Sequence, residues 1–302
     1  MASTTTSTTV DLSRLPAPTI VEQLSFETIF DDMVAGLQEL LPSFDATVDS
    51  DPVVKVLQVA AYREVLVRQS FNDRARQVMT AYATGSNLDQ LAVLVGVFRL
   101  TLDPGDAALG IDPVYESDEA LRERIVLAPE SFSVAGPELA YIYHARSADA
   151  TILDASATSP APGEVLVTIL SSLGDGSASA DQIEAVQEVL GVDFGNRIRP
   201  LGDLVTVASA QIVPFAIKAE LTLKAGPDQT LILAAAQAGT AAWVERSGRL
   251  GADAVRAAIT HAMFVEGVQN VKLISPAADV VVSRTQSAHC VGISVSATGV
   301  AD

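Results

Sequence analysis

The chain has 302 residues, enough for two or three domains, and 49% of them are apolar while only 5% are aromatic. Its 37 acidic and 19 basic residues give a net charge of −18, which argues against nucleic acid and anionic membranes as partners because both repel an acidic surface. The single cysteine, Cys290, excludes a disulfide within the chain, and no apolar run reaches the roughly 18 residues of a membrane span.

The first 19 residues predict an extended N-terminal arm. Its opening stretch is rich in Ser and Thr and offers little to bury. Further on, Pro16 and Pro18 disfavour a helix, while Leu12 and Leu15 supply apolar anchors. Such a strip can dock on a neighbouring subunit, with Leu12, Leu15 and Pro16 as contacts, or fold back onto its own domain. Composition alone does not separate the two.

A first helix is predicted from Ile20 to Leu41, where apolar residues recur at helical spacing until Pro42 stops it. Its acidic residues lie mainly off the apolar stripe. Paired carboxylates can act as acid and base, but a solvated helix face is the commoner meaning of such a group.

The strongest predicted helix runs from Val53 to about Ala83, with Asp51 as a suitable N-cap and Pro52 as a suitable first residue. At 1.5 Å per residue it would be roughly 45 Å long. Its predicted apolar stripe consists of Val53, Leu57, Ala60, Ala61, Phe71, Ala75, Val78, Met79 and Tyr82. One small domain would struggle to cover that stripe. We therefore predict that the helix packs on another subunit, the alternative being that it packs wholly on neighbouring helices of its own chain.

Glu64 and Arg68 stand four residues apart within this stripe. They predict either an ion pair buried at a subunit interface, where it would fix the register, or a solvated pair at the edge of the core contact. Together with Leu57, Ala61 and Phe71, they form the predicted interface on this helix.

The rest of the chain predicts an α+β fold in which a mainly helical domain, residues 20–130, precedes two small α+β domains, residues 131–210 and 211–302. The helical part continues with Gly85 as a helix stop, a short apolar helix at Leu88–Val97, a loop or hairpin at Thr101–Val114 and a helix opening at Ser117. Further helices are predicted at Gly136–Ala145, Ala180–Leu190, Gln229–Glu245 and 252–263. Strands are predicted at Ala150–Ala155, Glu164–Leu170, Asp203–Ala208, Phe215–Lys224, Val268–Ile274 and Gly292–Ser296.

No residue pattern predicts a catalytic, cofactor or metal site. The histidines His144, His261 and His289 are scattered, and His289 with Cys290 is a poor nucleophile pair because adjacent strand residues point to opposite faces. The loop at 174–176 lacks the Lys and Ser or Thr of a phosphate-binding loop. Carboxylates are plentiful, but a sugar-cleaving cleft usually also needs aromatic platforms, which are scarce here.

Four segments, in this order, resemble the baseplate J-like protein family of contractile phages. They are DLSRLPAP with VEQLSFETIFDDM, the block Asp51–Arg99, ESDEALRERI at Glu116–Ile125, and RPLGDLVTV with VEGVQNVKLISPAADV. The block is the most specific, since YRE, RQSFND, YATGSNLD and GVFR follow one another in the family's order. No single motif is diagnostic, but their order over nearly the full chain is.

The resemblance implies a non-enzymatic structural wedge subunit in the baseplate of a contractile phage tail or tail-like injection particle, assembled in the bacterial host cytoplasm. Its implied partners are other copies of itself, a second wedge protein of the tail protein I type, a lysozyme-like baseplate protein that links to the sheath, and the central hub and spike. Two alternatives remain. One is a peptidoglycan-cleaving tail enzyme, which would need facing carboxylates in a cleft, and the other is a host-binding adhesin, which would need aromatic-rich tips.

Overall fold

The computed structural model describes residues 12, 22–45, 48, 50–191, 198–224 and 228–301. Within these residues the helices are α1 (Phe26–Leu40), α2 (Pro52–Arg76), α3 (Gly85–Val93), α4 (Asp118–Leu127), α5 (Glu138–Ala148), α6 (Ala180–Leu190), α7 (Gln229–Ser247) and α8 (Arg256–Met263). The strands are β1 (Thr101–Asp103), β2 (Val114–Tyr115), β3 (Ile152–Thr158), β4 (Glu164–Ser171), β5 (Leu204–Ser209), β6 (Gln211–Lys224), β7 (Val268–Ser275) and β8 (Gln286–Ala301). The predicted α+β class, with helices first and small sheets after them, is confirmed.

The chain divides into two compact units. The helical unit contains the described residues of 10–98 together with 118–122, and the α+β unit contains residues 99–117 and those from 123 onward. Both three-stranded sheets belong to the second unit. The boundaries predicted at residues 130 and 210 stay predictions, and the predicted arm lies outside the described residues apart from Leu12.

Helix α2 ends at Arg76, so the prediction that it continues to about Ala83 is wrong. The reason lies in a side chain that the apolar pattern does not reveal. The Gln77 side-chain oxygen accepts hydrogen bonds from the Thr84 backbone N–H at 3.0 Å and from the Asn87 amide at 3.1 Å. These bonds stabilise a series of turns between α2 and α3 in place of a longer helix.

Two side chains that are distant in sequence, Arg122 and Asp118, also hold the segment between α2 and α3. Arg122 donates to the carbonyl oxygens of Thr80 at 2.8 Å and Ala83 at 2.7 Å, so both carbonyls are satisfied outside a helix. Asp118 accepts a hydrogen bond from the Gly85 N–H at 3.1 Å. Gly85 was predicted to end the long helix, but it is the first residue of α3.

The packing of α1 and α2 is fixed by a buried amide. Val54 and Ala61 are fully buried on one face of α2, and Asn72 follows on the same face with only 3% of its surface exposed. The Asn72 side chain accepts from the Glu22 N–H at 3.1 Å and donates to the Glu22 carbonyl at 3.0 Å. The Asn72 amide therefore makes with Glu22 the same two hydrogen bonds that a neighbouring backbone strand would make. It holds the segment before α1 against α2.

The α+β unit contains a buried ion pair between Glu116 and Arg124, which are 6% and 3% exposed. The two side chains bond twice, once at 3.2 Å between Arg124 Nε and Glu116 Oε2 and once between Arg124 Nη2 and Glu116 Oε1. Glu116 also accepts from the Leu100 N–H at 2.8 Å, and its carbonyl accepts from Arg99 at 2.8 Å. The ion pair thus joins the residues on either side of the β1–β2 hairpin, Leu100 and Glu116, to α4.

In the first sheet, β3 pairs antiparallel with β4, and β4 pairs parallel with β5 through the crossover helix α6. The turn before β5 is held by Arg199, which is 6% exposed and donates to the Leu190 carbonyl at 2.9 Å and to the Asp203 carbonyl. Asp203 accepts a hydrogen bond from the Tyr141 hydroxyl at 2.5 Å. Burial, and then this bond, raise the pKa of Tyr141 above its ordinary value.

In the second sheet, β6 lies between β7, which is antiparallel to it, and β8, which is parallel to it. The apolar residues that alternate along β6 face the core, because all five are buried: Phe215, Ile217, Ala219, Leu221 and Leu223. Strand β8 is much longer than the predicted Gly292–Ser296, since it follows β6 from Gln211, beside Gln286, to Lys224, beside Ala301. Residues of α7 and α8 complete the core of this sheet.

Replacing Asn72 with Ala should destabilise the helical unit by about 1–3 kcal/mol, because the Glu22 N–H and carbonyl lose their partner in a partly buried place. Gln69→Ala, on the exposed side of the same helix, is the matched control and should change the free energy of unfolding little. Urea unfolding followed by circular dichroism measures both. Equal stability of the two variants would contradict the anchoring role of Asn72.

Replacing Arg124 with Met should cost about 3–5 kcal/mol, because it leaves the Glu116 carboxylate buried without its counter-ion. Arg76→Met removes an exposed ion pair with Asp73, whose charged atoms are 3.9 Å apart, and should cost at most about 1 kcal/mol. Chemical denaturation of both variants gives the comparison. A loss for Arg124→Met as small as that of the control would show that the buried pair contributes no specific stability.

Candidate subunit interface

Helix α2 is apolar on the side that its own unit leaves exposed. At 100° per residue, the buried positions Val54, Ala61 and Asn72 lie on one narrow stripe. Away from that stripe lies a set of exposed apolar side chains that we call the outer face of α2: Val56, Val59, Leu66, Val67 and Phe71. Val56 is 67% exposed and Val67 is 64% exposed. Monomeric proteins seldom leave such a continuous apolar face uncovered, so the outer face is a candidate interface.

Two arginines flank the apolar part of this face. A shallow groove there is lined by Arg63, Leu66, Val67, Ser70, Phe71 and Arg74. Arg63 and Arg74 stand eleven residues apart, which is about 16 Å along the helix. Neither makes an ion pair with any residue that the structure describes. In a chain of net charge −18, two unpaired arginines around an apolar groove suit a partner surface that carries carboxylates.

The apolar stripe predicted for α2 is only partly buried within the single chain, and its role as an interface stays a prediction. Of the predicted positions, Ala61 is fully buried and Leu57 is half-buried, but Val53 and Phe71 are exposed at 44% and 59%. Valines and alanines occur on nearly every side of this helix, so helical spacing alone fits more than one stripe. The hydrogen bonds of the Asn72 amide with Glu22 determine which stripe of α2 is buried. Because Ala61 is covered by its own unit, a partner could reach only the other predicted residues of α2.

The predicted Glu64–Arg68 ion pair forms, with 2.5 Å between Arg68 Nη2 and Glu64 Oε1. The Arg68 side chain is 47% exposed and also lies 3.5 Å from the Glu22 carboxylate. The pair therefore lies at the rim of the α1–α2 contact in this chain. Of the predicted arm contacts, Leu12 is half-buried, whereas Leu15 and Pro16 lie outside the described residues.

Asp154 on β3 is a half-buried carboxylate whose contacts are structural. Burial raises the pKa of Asp154, against the opposing effect of nearby Arg146 and Arg249. Its carboxylate oxygens accept from the Ala155 N–H at 2.9 Å and the Leu250 N–H at 3.0 Å. Arg249 adds a bond to the Leu153 carbonyl at 2.7 Å. These bonds join β3 of the first sheet to the segment that bridges to β8 of the second sheet.

The histidines and the cysteine do not form a catalytic set among the described residues. Burial lowers the pKa of His144 on α5, and its Nε2 atom has no hydrogen-bond partner. His289 and Cys290 are consecutive on β8, and the Cys290 thiol donates to the Gly292 carbonyl. The loop at 174–176 connects β4 to α6. No group of His, Cys, Asp or Glu in the described part of the chain could hold a metal ion.

Among the described residues, no helix combines the length and the apolar character that crossing a bilayer requires.

Sequence comparison finds matches to three family models in succession. The Baseplate J-like N-terminal domain matches residues 49–106, the Baseplate J-like central domain matches residues 133–209, and the Baseplate J-like protein C-terminal domain matches residues 215–296. The matched segments cover the α2 region and both sheets.

Two individual proteins illustrate the similarity. Over 291 residues the chain is 43% identical to "Baseplate protein J" of Escherichia phage P2, covering 93% of this chain and 95% of the relative. A chain of the six-fold symmetrised cryo-EM structure of the anti-feeding prophage baseplate aligns with a TM-score of 0.40 and 11% identity. That alignment spans 59% of this chain and 43% of the other, and it is too weak to support a structural argument.

Proposed function

The chain belongs to the baseplate J-like protein family, and on that premise we propose that it serves as a wedge subunit that pairs with a second copy of itself through the outer face of α2. Its broader role, a structural subunit of a phage-type baseplate, follows from the 43% identity to the phage P2 protein over nearly the full length of both chains.

The observation that carries the pairing is the uncovered outer face of α2 with Arg63 and Arg74 beside its apolar residues. A second copy supplies what these arginines need. Helix α1, which packs on α2 in the same unit, bears the exposed carboxylates Glu27, Asp31, Asp32 and Glu39. In a two-fold pair, α1 of one copy can lie against α2 of the other, so that each acidic helix meets an apolar and basic one. Two helices from each copy would then form a four-helix bundle, which is a common way to cover such faces.

Further partners are proposed from the family rather than from the contacts described above. They are a second wedge protein of the tail protein I type, a lysozyme-like baseplate protein toward the sheath, and the central hub with its spike. Leu12, Leu15 and Pro16 of the predicted arm are proposed to dock on one of these neighbours. The baseplate of the tail is the site of action, and we propose that assembly takes place in the cytoplasm of the bacterial host.

We further propose that the chain has no catalytic activity. Of the titratable groups whose pKa burial shifts, Asp154 and Tyr141 are engaged in hydrogen bonds that hold the fold, and His144 Nε2 has no acid or base bonded to it among the described residues. The relatives give no support to a peptidoglycan-cleaving enzyme or to a host-binding adhesin.

The purified chain should therefore release no soluble fragments from isolated bacterial cell walls under conditions in which an added lysozyme does so. Such cleavage would need two carboxyl groups that face each other across the sugar, whereas the carboxylate that burial perturbs among the described residues, Asp154, is bonded to backbone N–H groups. Turbidity and released reducing sugars are the measurements. Hydrolysis above background that one carboxylate substitution abolishes would overturn this proposal.

Replacing Leu66 with Asp should weaken self-association while leaving the melting temperature nearly unchanged, because the side chain is exposed in the single chain but would be buried in the pair. Arg68→Ala removes an exposed ion pair of small value at the rim of the α1–α2 contact, so it should also leave the melting temperature nearly unchanged. Sedimentation velocity and thermal melting separate association from folding.

Val78→Asp is the matched control, because Val78 is 71% exposed and lies beyond the end of α2. It should associate like the unmodified chain. If Leu66→Asp associated as well as this control, the outer face of α2 would not be the pairing surface. If Leu66→Asp unfolded instead, that face would belong to the chain's own core.

A further inference from the structure

Strand β8 leaves a long edge of its sheet unpaired. It bonds to β6 on one side along its whole length. On the other side, bonding among the described residues is confined to the start of the strand, where the Gly251 N–H donates to the Gln286 carbonyl and Leu250 bridges to Ser287. Beyond Ser287 the outer edge presents backbone donors and acceptors with no backbone partner in the described part of the chain. Such an edge is a template for another strand.

The same strand lacks the charges that normally protect an edge. From Thr285 to Ala301 there is no Asp, Glu, Lys or Arg, and no uncharged run in the sequence is longer. The opposite edge strand, β7, differs in this respect, because its Lys272 forms an ion pair with Glu220 at 3.0 Å. Two bulges interrupt the register of β8 against β6, but neither introduces a charge or a proline.

The two faces of β8 show which side chains a new strand would meet. Val295 is 8% exposed and, with Ile293 and Ala297, packs toward the core of the sheet. The exposed positions beyond the first bulge hold only small neutral residues: Gly292, Ser294, Ser296 and Thr298. These side chains neither block nor repel a neighbouring strand.

We propose that the outer edge of β8 pairs antiparallel with β8 of a second copy, around a two-fold axis between Val291 and Thr298, so that two three-stranded sheets become one of six strands. The charge of the chain favours a second copy as the occupant. At net −18, two copies repel each other over most of their surface, and a two-fold contact places each patch against itself. A surface without charge is free of that repulsion, and β8 lies in the longest uncharged run of the sequence. This contact is separate from the outer face of α2 and does not rest on the proposed pairing there.

A single-cysteine scan tests both the pairing and its direction. In a Cys290→Ser background, one cysteine at a time replaces each residue from Gly292 to Thr298, and each chain is oxidised with diamide. Around a two-fold axis only the residue nearest the axis has its own mate within the roughly 4.4–6.8 Å between Cα atoms that a disulfide allows. A residue two positions away is about 13 Å from its mate.

One strongly cross-linked position, with its neighbours at background, is the expected result. Equal cross-linking at every position would indicate a parallel pair and overturn the two-fold arrangement. No cross-linking at any position would overturn the contact altogether.

A charge at the edge gives a second measurement. In a Leu66→Asp background, which removes the proposed pairing through α2, Ser296→Glu should weaken the remaining dimerisation about tenfold or more in sedimentation experiments, because it places two carboxylates close together in the pair. Ser86→Glu adds the same charge on α3 and is the control, with no expected effect. Leu66→Asp should leave the cysteine pattern on β8 unchanged, so failure of the α2 pairing and failure of the β8 pairing are distinguishable. If Ser296→Glu dimerised as well as Ser86→Glu, the β8 contact would be wrong.

Discussion

The buried pairing of Arg124 with Glu116 is the constraint on which the α+β unit depends. A guanidinium and a carboxylate that both leave water are stable only if nearly all of their donors and acceptors find partners. Here those partners come from the start of the β1–β2 hairpin, through the Leu100 N–H, and from α5, through Ser147 at 3.4 Å from Arg124. Satisfying one ion pair therefore fixes the positions of two helices and a hairpin at once.

The motifs that identify the family serve the same kind of purpose. Asn72 in RQSFND anchors the chain before α1, and Gln77 with Asn87 shapes the turns around YATGSNLD. In RPLGD, Arg199 and Asp203 hold the turn that enters β5. Each is a polar side chain bonded to backbone or to another structural side chain. The recognisable residues of this protein maintain the fold and do not converge on a reaction centre, as is expected of a part in an assembly.

The local features could be predicted from sequence, whereas those that depend on distant contacts could not. Helix α6 has its predicted bounds because Ser179 and Gln182 form a capping box at its start. The inward face of β6 follows from strict alternation. The end of α2, by contrast, depends on Arg122, more than 40 residues away in sequence. The length of β8 depends on its pairing with β6. Among the interface residues, the Glu64–Arg68 spacing predicted the ion pair, but only the packing shows that Ala61 is inaccessible.

Helix α4 carries two arginines of one motif that act in different units. Arg122 bonds the backbone of the helical unit, and Arg124 bonds Glu116 in the α+β unit. Among the described residues, one of the three boundaries between the units, that between Arg122 and Glu123, therefore falls within a continuous helix. A recombination crossover between related chains at this boundary would have to preserve both the helix and the partners of each arginine. The two units are therefore expected to be inherited together, and exchange should be tolerated only between chains that already share this segment.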